Sequence, residues 1–347
     1  MFLTHKVLGG NDFLRSRLIF FGYYFIIYYI LSKIYEEILE KENHYVIGFL
    51  SSYVSLQIVN RCFNDCFTML YFYIGLYLLI SRNRIVLSTI FFGIALSCKM
   101  NVVLFLPGIF YIYIKKKGPI FLISQIILIL LIQILMGLPF ILTYPLSYLK
   151  GAYNVTRVFD LSESINWQFL SLDTFYNPLF HKFLLFTHLL LLLCFLIFVY
   201  ERPSKNILVS LRLNDWSINA EEKHLDKKFM AMVIFTSNFI GIACGRSLHY
   251  QFFLWFFESL PFLFWLTRWN FFVKVFLMLI YSYSWSYRKH PIKSLILNFV
   301  HIFLISSILF GQFSWFGRKN QDKVIEKNVT EKKELEENIS LKKNKNQ

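Results

Sequence analysis

The chain has 347 residues, of which 56% are hydrophobic and 20% aromatic, including 40 Phe and 21 Tyr. No soluble domain needs this much apolar surface, whereas each membrane-spanning helix needs about 20 mostly apolar residues. The apolar runs are continuous rather than alternating, which excludes the strand pattern of a transmembrane barrel. The composition predicts an all-α protein, a polytopic bundle of transmembrane helices.

The formal net charge is +15 at pH 7, which raises the question of a nucleic-acid partner. The placement of the charge argues against one, because the Lys and Arg residues lie in short segments between apolar runs and in the C-terminal tail. This distribution is typical of cytosolic loops and of contact with the anionic head groups of membrane lipid.

The five cysteines lie in or beside apolar segments and form neither a disulfide framework nor a zinc pattern. Cys62 and Cys66 have the i, i+4 spacing of one helix face, and we interpret them as packing residues. The sequence also lacks a glycine-rich phosphate loop, a metal-ligand cluster and a nucleophile elbow. These absences disfavour an ATPase, a metalloenzyme and a hydrolase.

In chain order, a polar segment (1–17) without signal-peptide features precedes a transmembrane region (18–316) and a tail (317–347). The run 85–114 is interrupted by polar residues near Lys99, which predicts two short helices or a re-entrant pair. Roughly 9–11 membrane segments are expected from runs of this length. The apolar runs cover about 18–35, 45–60, 66–80, 85–114, 120–143, 183–200, 229–245, 252–267, 271–287 and 294–316.

The Lys and Arg residues also orient the bundle. The lysine triplet 115–117 is the clearest cytosolic marker. Loop 144–182 has only three Lys/Arg residues and a glycosylation sequon at Asn154, which favours the lumen, whereas loop 201–228 has six and favours the cytosol. Each span carries the chain to the other side of the membrane. Counted from the cytosolic triplet, the spans place segment 246–251 in the lumen and the tail in the cytosol. The orientation of the N-terminal third is left open.

The tail is rich in charge and poor in apolar residues, which predicts disorder. Lys343 and Lys345 lie five and three places from the C-terminus, as in the dilysine retrieval signal of endoplasmic reticulum membrane proteins. The pattern predicts retrieval by coat proteins, although the Lys/Asn-rich composition of the tail offers a second explanation.

The polar segment 246–251 lies between two apolar runs and contains Arg246, His249, Tyr250 and Gln251. Charged groups near lipid cost about 2.5–3.5 kcal/mol each on insertion scales, so such a cluster indicates a functional site. Arginine offers a planar fork that matches phosphate oxygens, and histidine can donate to phosphate or transfer a proton. We therefore predict a site for an anionic lipid head group; the alternative is a lumenal loop that faces water.

Other polar residues have two interpretations each. Glu258 belongs either to this site or to an ion pair within the bundle, and Lys99 either reaches an interface or lines a cavity. Asp65 and the asparagine before it are interpreted first as a helix cap, and the competing interpretation of Asp65 is a catalytic base. Asp160 and Glu163 are either ordinary loop acids or bases.

The segment SNFIGI…RSLHYQFFLWFFESLPFLFW resembles the signature of the dolichyl-phosphate-mannose-dependent α-1,3-mannosyltransferases of the endoplasmic reticulum. This family adds the sixth mannose to the lipid-linked oligosaccharide used for protein N-glycosylation. The resemblance covers residues 15–316. Further matching motifs, in the family's order, are Arg61-Cys62-Phe63-Asn64-Asp65, Lys99-Met100-Asn101-Val102, Leu106-Pro107-Gly108, Gly137-Leu138-Pro139-Phe140, Phe159-Asp160 and Asn166-Trp167-Gln168-Phe169.

The resemblance implies a metal-independent, inverting transferase of the GT-C superfamily in the endoplasmic reticulum membrane. It implies no cofactor beyond the donor, dolichyl phosphate mannose, and a dolichol-linked oligosaccharide as acceptor. A lumenal carboxylate would deprotonate the acceptor, while Arg246 and His249 would neutralise the leaving phosphate. The remaining substrate-binding candidates are Arg61, Lys99, Asn101, Asn166, Trp167, Tyr250, Gln251 and Glu258.

The chain also departs from the family pattern. The family's first lumenal loop, with an Asp-Trp motif thought to hold the base, is not found here, and Glu258 stands where the family usually has His. We expect either an N-terminally shortened gene product or a base elsewhere, with Asp65, Asp160 and Glu163 as candidates. The alternatives to this function are a sister transferase with another acceptor and a non-catalytic lipid-binding remnant.

Overall fold

The computed structural model describes residues 13–39, 62–152, 159–201, 211, 213, 215–217, 221–285 and 290–311. Within these residues the regular structure is helical, which confirms the all-α class. Short 3-10 turns cover Met100–Phe105, Leu161–Glu163, Tyr250–Trp255 and Phe257–Ser259. The helices are α1 (Phe13–Ile38), α2 (Asp65–Ile80), α3 (Ile85–Cys98), α4 (Leu106–Thr143), α5 (Pro145–Ala152), α6 (Leu172–Tyr176), α7 (Pro178–Phe195), α8 (Lys227–Ala243), α9 (Leu260–Trp265), α10 (Phe271–Ser284) and α11 (Pro291–Gly311).

Four stretches of helix in the described residues are long and apolar enough to cross a membrane: Ser16–Ile38, Met100–Thr143, Pro178–Tyr200 and Pro291–Gly311. Three shorter apolar helices, α2, α3 and α10, accompany them. Large apolar side chains on α4, α7 and α11 face outward, as the lipid-facing surface of a bundle requires. The protein is therefore a polytopic membrane protein. The total of 9–11 segments stays a prediction, because run 45–60 lies outside the described residues.

Charged residues at one end of the bundle connect three segments of the chain. The Glu222 carboxylate lies 3.3 Å from Nζ of Lys116 and 3.2 Å from Nζ of Lys117, and it accepts a 2.6 Å hydrogen bond from the Asn83 amide. Burial acts to raise the pKa of Glu222, but hydrogen bonds from Asn83 and Lys117 and the charge of Lys116 bring that pKa below its ordinary value. We call this region the Lys116 end. It unites the two segments predicted to be cytosolic, the lysine triplet and loop 201–228.

The two segments predicted to be lumenal meet at the opposite end. The backbone N–H of Ile165, in loop 144–182, donates a 2.8 Å hydrogen bond to the carbonyl of Leu248. The Trp255 indole, a few residues further on, donates to Asp65 at the start of α2. We call this region the Asp65 end. Because α2 runs from here to the Lys116 end and α3 returns, the structure also decides the orientation of these N-terminal helices relative to the rest.

The predicted division of run 85–114 is confirmed. Helix α3 ends at Cys98, a 3-10 turn follows, and α4 then runs back along α3. Within α4 the helix is broken at Gly118, whose φ of 79° is left-handed, and Pro119 begins the next helical part. The lysine triplet therefore ends one helix, and the predicted span 120–143 forms the next.

The prediction that residues 252–267 form one spanning helix is wrong. The chain passes through the bundle here as 3-10 turns followed by α9, a helix of 6 residues. The physical reason is that side chains of other helices take up its carbonyl groups: the Asn238 amide donates to Trp255 O at 3.0 Å and the Tyr35 hydroxyl to Glu258 O. Irregular backbone at membrane depth is tolerated because protein, not lipid, surrounds it.

Two local predictions near α2 are also corrected. Cys62 precedes the helix and has a φ of 55°, so Cys62 and Cys66 do not share a helix face, although Cys66 is buried as expected. Asn64 occupies the N-cap position of α2 but makes no side-chain hydrogen bond there. The side chain of Asp65, in the first turn, instead forms contacts with other parts of the chain.

Gly118→Ala should destabilise the protein. A side chain at φ 79° costs about 1–2 kcal/mol, and a Cβ atom would lie 2.8 Å from the carbonyl oxygen of Asp215. We expect a lower midpoint of thermal unfolding in detergent. Gly151→Ala is the matched control, because no atom of the described residues lies within 4 Å of its added Cβ. Equal midpoints for the two variants would contradict the strained geometry of Gly118.

Candidate functional site at the Asp65 end

The centre of the candidate site is an ion pair between Asp65 and Lys99. The Asp65 side chain is fully buried, and its Oδ1 lies 2.6 Å from Nζ of Lys99 and accepts a hydrogen bond from the Trp255 indole. Lys99 follows α3 in extended backbone, which directs its side chain toward the start of α2. The carboxylate also lies in the first turn of α2, where the helix dipole stabilises negative charge. The pair therefore joins α2, α3 and the irregular segment after residue 250.

Lys99 also lies against an aromatic surface. Its Nζ is 5.1 Å from the ring centroid of Trp255 and 5.4 Å from that of Phe252, and these two rings stack with centroids 3.7 Å apart. About 20% of the Lys99 side chain remains exposed. Cation–π contact adds to the stabilisation of the ammonium group, whose charge the Asp65 carboxylate already balances.

The aromatic contacts continue to Arg246. The His249 ring lies 5.1 Å from Phe252 and 5.5 Å from Phe159, and the Arg246 guanidinium carbon is 5.7 Å from the Phe159 ring. We call Arg246, Phe159, His249, Phe252 and Lys99 the cation–aromatic row. Two permanent cations and a titratable imidazole thus alternate with aromatic rings at the Asp65 end. This arrangement suits an anion that carries an apolar or sugar substituent.

Asn166 and Trp167, which we expected to bind substrate, use their polar groups to hold the polar segment. The buried Asn166 side chain donates to Gly245 O at 2.8 Å and accepts from the Leu248 N–H at 2.9 Å. The Trp167 indole donates to the same carbonyl of Gly245 at 2.9 Å. The conformation of the chain on both sides of Arg246 therefore depends on this loop.

The three candidate bases have different surroundings. Asp160 and Glu163 are exposed and follow Phe159 of the cation–aromatic row. Asp160 caps the short 3-10 turn, since its Oδ1 accepts from the Ser162 N–H at 2.9 Å. Asp65 is buried below the row, and its Oδ2 has no hydrogen-bond partner in the described part of the chain.

Several predicted site residues lie beneath the row rather than in it. Glu258 is 2% exposed and lies in the core, and Asn101 is 6% exposed. The Asn101 amide contacts the sulfur of Met69 at 3.9 Å. Tyr250 and Gln251 are half-buried at the start of a 3-10 turn, directly after His249. Arg61 lies outside the described residues.

Sequence reasoning missed several residues that build the site. Phe159, Phe252 and Trp255 lie in motifs that we quoted, but apolar aromatics in a chain with 40 Phe carried no individual signal. Ser294 and Asn298, on α11, contact the loop of Asn166. Their signal was available, since both are polar residues inside an apolar run.

In the part of the chain that the structure describes, no three His, Cys, Asp or Glu side chains are grouped so that they could hold a metal ion. Metal independence stays a prediction, because it concerns the reaction. The side chains that could balance the charge of an anionic ligand here are Arg246 and His249.

Residues 1–295 match the sequence profile of the ALG3 protein family. The chain belongs to this family. A Drosophila melanogaster relative named dolichyl-P-Man:Man5GlcNAc2-PP-dolichol alpha-1,3-mannosyltransferase Alg3 is 29% identical, over 88% of this chain and 73% of that protein. No solved structure matches the chain.

Two further relatives in the ALG3 family share more residues with the chain. A Dictyostelium discoideum protein named as a probable Dol-P-Man:Man(5)GlcNAc(2)-PP-Dol alpha-1,3-mannosyltransferase is 33% identical, over 88% of this chain and 74% of that protein. A Homo sapiens protein with the corresponding name is 31% identical, over 90% of this chain and 72% of that protein. The similarity thus extends over most of the bundle.

Lys99→Met should strongly destabilise the protein, because it leaves the buried Asp65 carboxylate without its cation. Breaking a buried pair costs about 3–5 kcal/mol, so we expect a large fall in the thermal unfolding midpoint in detergent. The double variant Asp65→Asn with Lys99→Met removes both charges and should recover most of that loss. If the double variant is as unstable as the single one, the charge explanation is wrong.

Proposed function

We propose that this protein transfers mannose from dolichyl phosphate mannose, in α-1,3 linkage, onto the five-mannose dolichyl-diphosphate oligosaccharide of N-glycosylation. Membership of the ALG3 family supports this function, since the relatives carry these substrates in their names. The single observation that carries it is the cation–aromatic row at one end of a membrane bundle. A phosphate joined to both a sugar and a polyprenyl chain is the kind of anion that such a row suits.

Arg246 is the residue we assign to the donor phosphate, with His249 and Lys99 beside it. Its guanidinium can donate two parallel hydrogen bonds to phosphate oxygens, and its contact with Phe159 holds the guanidinium plane. Lys99, whose charge Asp65 balances, lies at the far end of the row, where it can donate a hydrogen bond to the ligand. Phe252, between His249 and Lys99, offers an apolar face for the mannose ring.

The reaction is a single displacement at the anomeric carbon of mannose. A carboxylate accepts the proton of the acceptor hydroxyl while its oxygen bonds to that carbon, and the bond from carbon to the phosphate oxygen breaks. The bonding electrons leave with dolichyl phosphate, whose charge rises as the bond breaks. Cations fixed beside that oxygen therefore stabilise the transition state more than the ground state.

We assign the base to Asp160 or Glu163 rather than to Asp65. The Asp65 carboxylate is fully buried, pairs with Lys99 and accepts a hydrogen bond from Trp255. If it took a proton from the acceptor, the positive charge of Lys99 would lose its balancing negative charge. Asp160 and Glu163 are exposed and lie close in sequence to Phe159, which contacts both Arg246 and His249. A base must reach the acceptor hydroxyl, and an exposed carboxylate beside the row can do so.

We also propose that the transferase needs no metal or other cofactor. The leaving group is a phosphate, and the positive charge that a metal ion would supply is available from Arg246, with His249 beside it. The protein would act in the endoplasmic reticulum membrane, with the Asp65 end in the lumen. Loop 144–182, which has only three Lys/Arg residues, bonds the polar segment at that end and supports this orientation.

Arg246→Ala should reduce mannosyl transfer about 100-fold or more, the scale of losing one electrostatic contact in a transition state. The measurement is the size of lipid-linked oligosaccharides in cells that lack their own enzyme and express this chain. The parent chain should extend the accumulated five-mannose species. Arg268→Ala is the matched control, because this exposed arginine follows α9, far along the chain from the polar segment.

The same assay separates the alternatives. Undiminished transfer by Arg246→Ala would remove the role of this residue. Extension of a different lipid-linked intermediate by the parent chain would indicate a sister transferase with another acceptor. Failure to extend any intermediate, with the protein present in the membrane, would favour a non-catalytic lipid-binding protein.

Replacing Lys343 and Lys345 by Ala should move the protein from the endoplasmic reticulum to later secretory compartments. These residues lie outside the described part of the chain, and the reason for the expectation is their dilysine-like spacing from the C-terminus. Fluorescence microscopy of the tagged chain is the measurement. Replacing Lys332 and Lys333 removes the same charge without touching the spacing, and equal mislocalisation of both variants would contradict a specific signal.

A further inference from the structure

The chain around Arg246 has no regular structure of its own. Residues 245–249 link α8 to the 3-10 turn Tyr250–Trp255, and polar backbone groups of Gly245 and Leu248 are bonded by another segment. Gly245 O accepts from the side chains of Asn166 and Trp167, while Leu248 bonds the Asn166 side chain through its N–H and the Ile165 N–H through its carbonyl. The position of Arg246 is therefore set by residues 165–167.

That loop is itself fixed to a membrane helix, α11. The Asn298 amide donates to the carbonyl of Asn166 at 2.5 Å, and the Gln168 N–H donates to Oγ of Ser294 at 3.1 Å. Ser294 is fully buried, and Asn298 also bonds the Ser294 carbonyl one turn earlier, at 2.9 Å. Two polar side chains on one face of an apolar helix thus bond the residues before and after Trp167.

A loop residue cannot be held in place by apolar contact alone, because such contact is not directional. Hydrogen bonds between a helix and a loop at membrane depth fix distance and angle, and a buried amide or hydroxyl there must find a partner. Asn166 is bonded through its backbone to α11 and through its side chain to the polar segment. A shift at Asn298 is therefore transmitted directly to the residues on either side of Arg246.

We propose that Asn298 and Ser294 are positioning residues for Arg246, acting through Asn166. This inference rests on the proposed function, in which Arg246 binds the donor phosphate. Their hydrogen bonds to the loop go to Asn166 and Gln168, so they act on the orientation of the arginine through that loop. Small misplacements of a group that contacts the transition state lower the rate while binding elsewhere is unchanged.

Asn298→Ala should lower kcat/KM for dolichyl phosphate mannose about tenfold, the effect of one lost hydrogen bond, and leave the KM for the acceptor unchanged. Ser294→Ala, a smaller change, should act in the same direction. Asn298→Gln retains the amide donor and should recover part of the loss. The assay uses the purified full chain in detergent with both lipid substrates. Ser282→Ala is the control, because within the described residues that hydroxyl bonds the Met278 carbonyl of its own helix.

A double-mutant cycle with Arg246→Ala separates positioning from a general loss of folded protein. If Asn298 acts through Arg246, Asn298→Ala has little further effect once the arginine is gone. Equal losses in both backgrounds, or parent-like donor kinetics of both Asn298→Ala and Ser294→Ala, overturn the inference while the proposed function stands. A parent-like rate for Arg246→Ala overturns the phosphate assignment and, with it, this inference.

Discussion

The buried ion pair between Asp65 and Lys99 is the interaction on which the candidate site depends. It joins the start of α2 to the end of α3 and, through the Trp255 indole, to the segment that carries the polar residues. A charge inside a membrane protein needs a partner of opposite charge, and that partner can occupy few positions. The pair thus constrains three separate parts of the chain to one geometry.

The site has two layers with different tasks. The outer layer is the cation–aromatic row, where charge is exposed and alternates with aromatic rings. The inner layer consists of hydrogen bonds, from α11 to the loop of Asn166 and from that loop to the polar segment. Since the polar segment has no helix or strand of its own, its conformation depends on the inner layer. Site residues can therefore matter without contacting substrate, and Asn166 is the clearest example.

Much of the fold could be predicted, because a membrane helix can be recognised in a sequence by its length and hydrophobicity. The break at Lys99 and the span 120–143 were both found by that means. Residues 252–267 show the limit of the method. Their apolar composition predicts a span, yet Asn238 and Tyr35 bond carbonyls that a continuous helix would use itself. Those two residues are at least 14 positions away in sequence, and no local pattern contains them.

The same difference applies to the candidate site. Arg246 and His249 were identified because charge between apolar runs is costly and therefore informative. Asn166 was identified as a site residue, but its hydrogen bonds to Gly245 and Leu248 give it a supporting role that composition cannot show. Local hydrophobicity and charge were enough to predict the class of protein, the ends of most helices and the polar segment. Which polar groups pair could be seen only in the folded chain. Hydrogen bonds and ion pairs are short-ranged, and here they join residues that are far apart in the sequence.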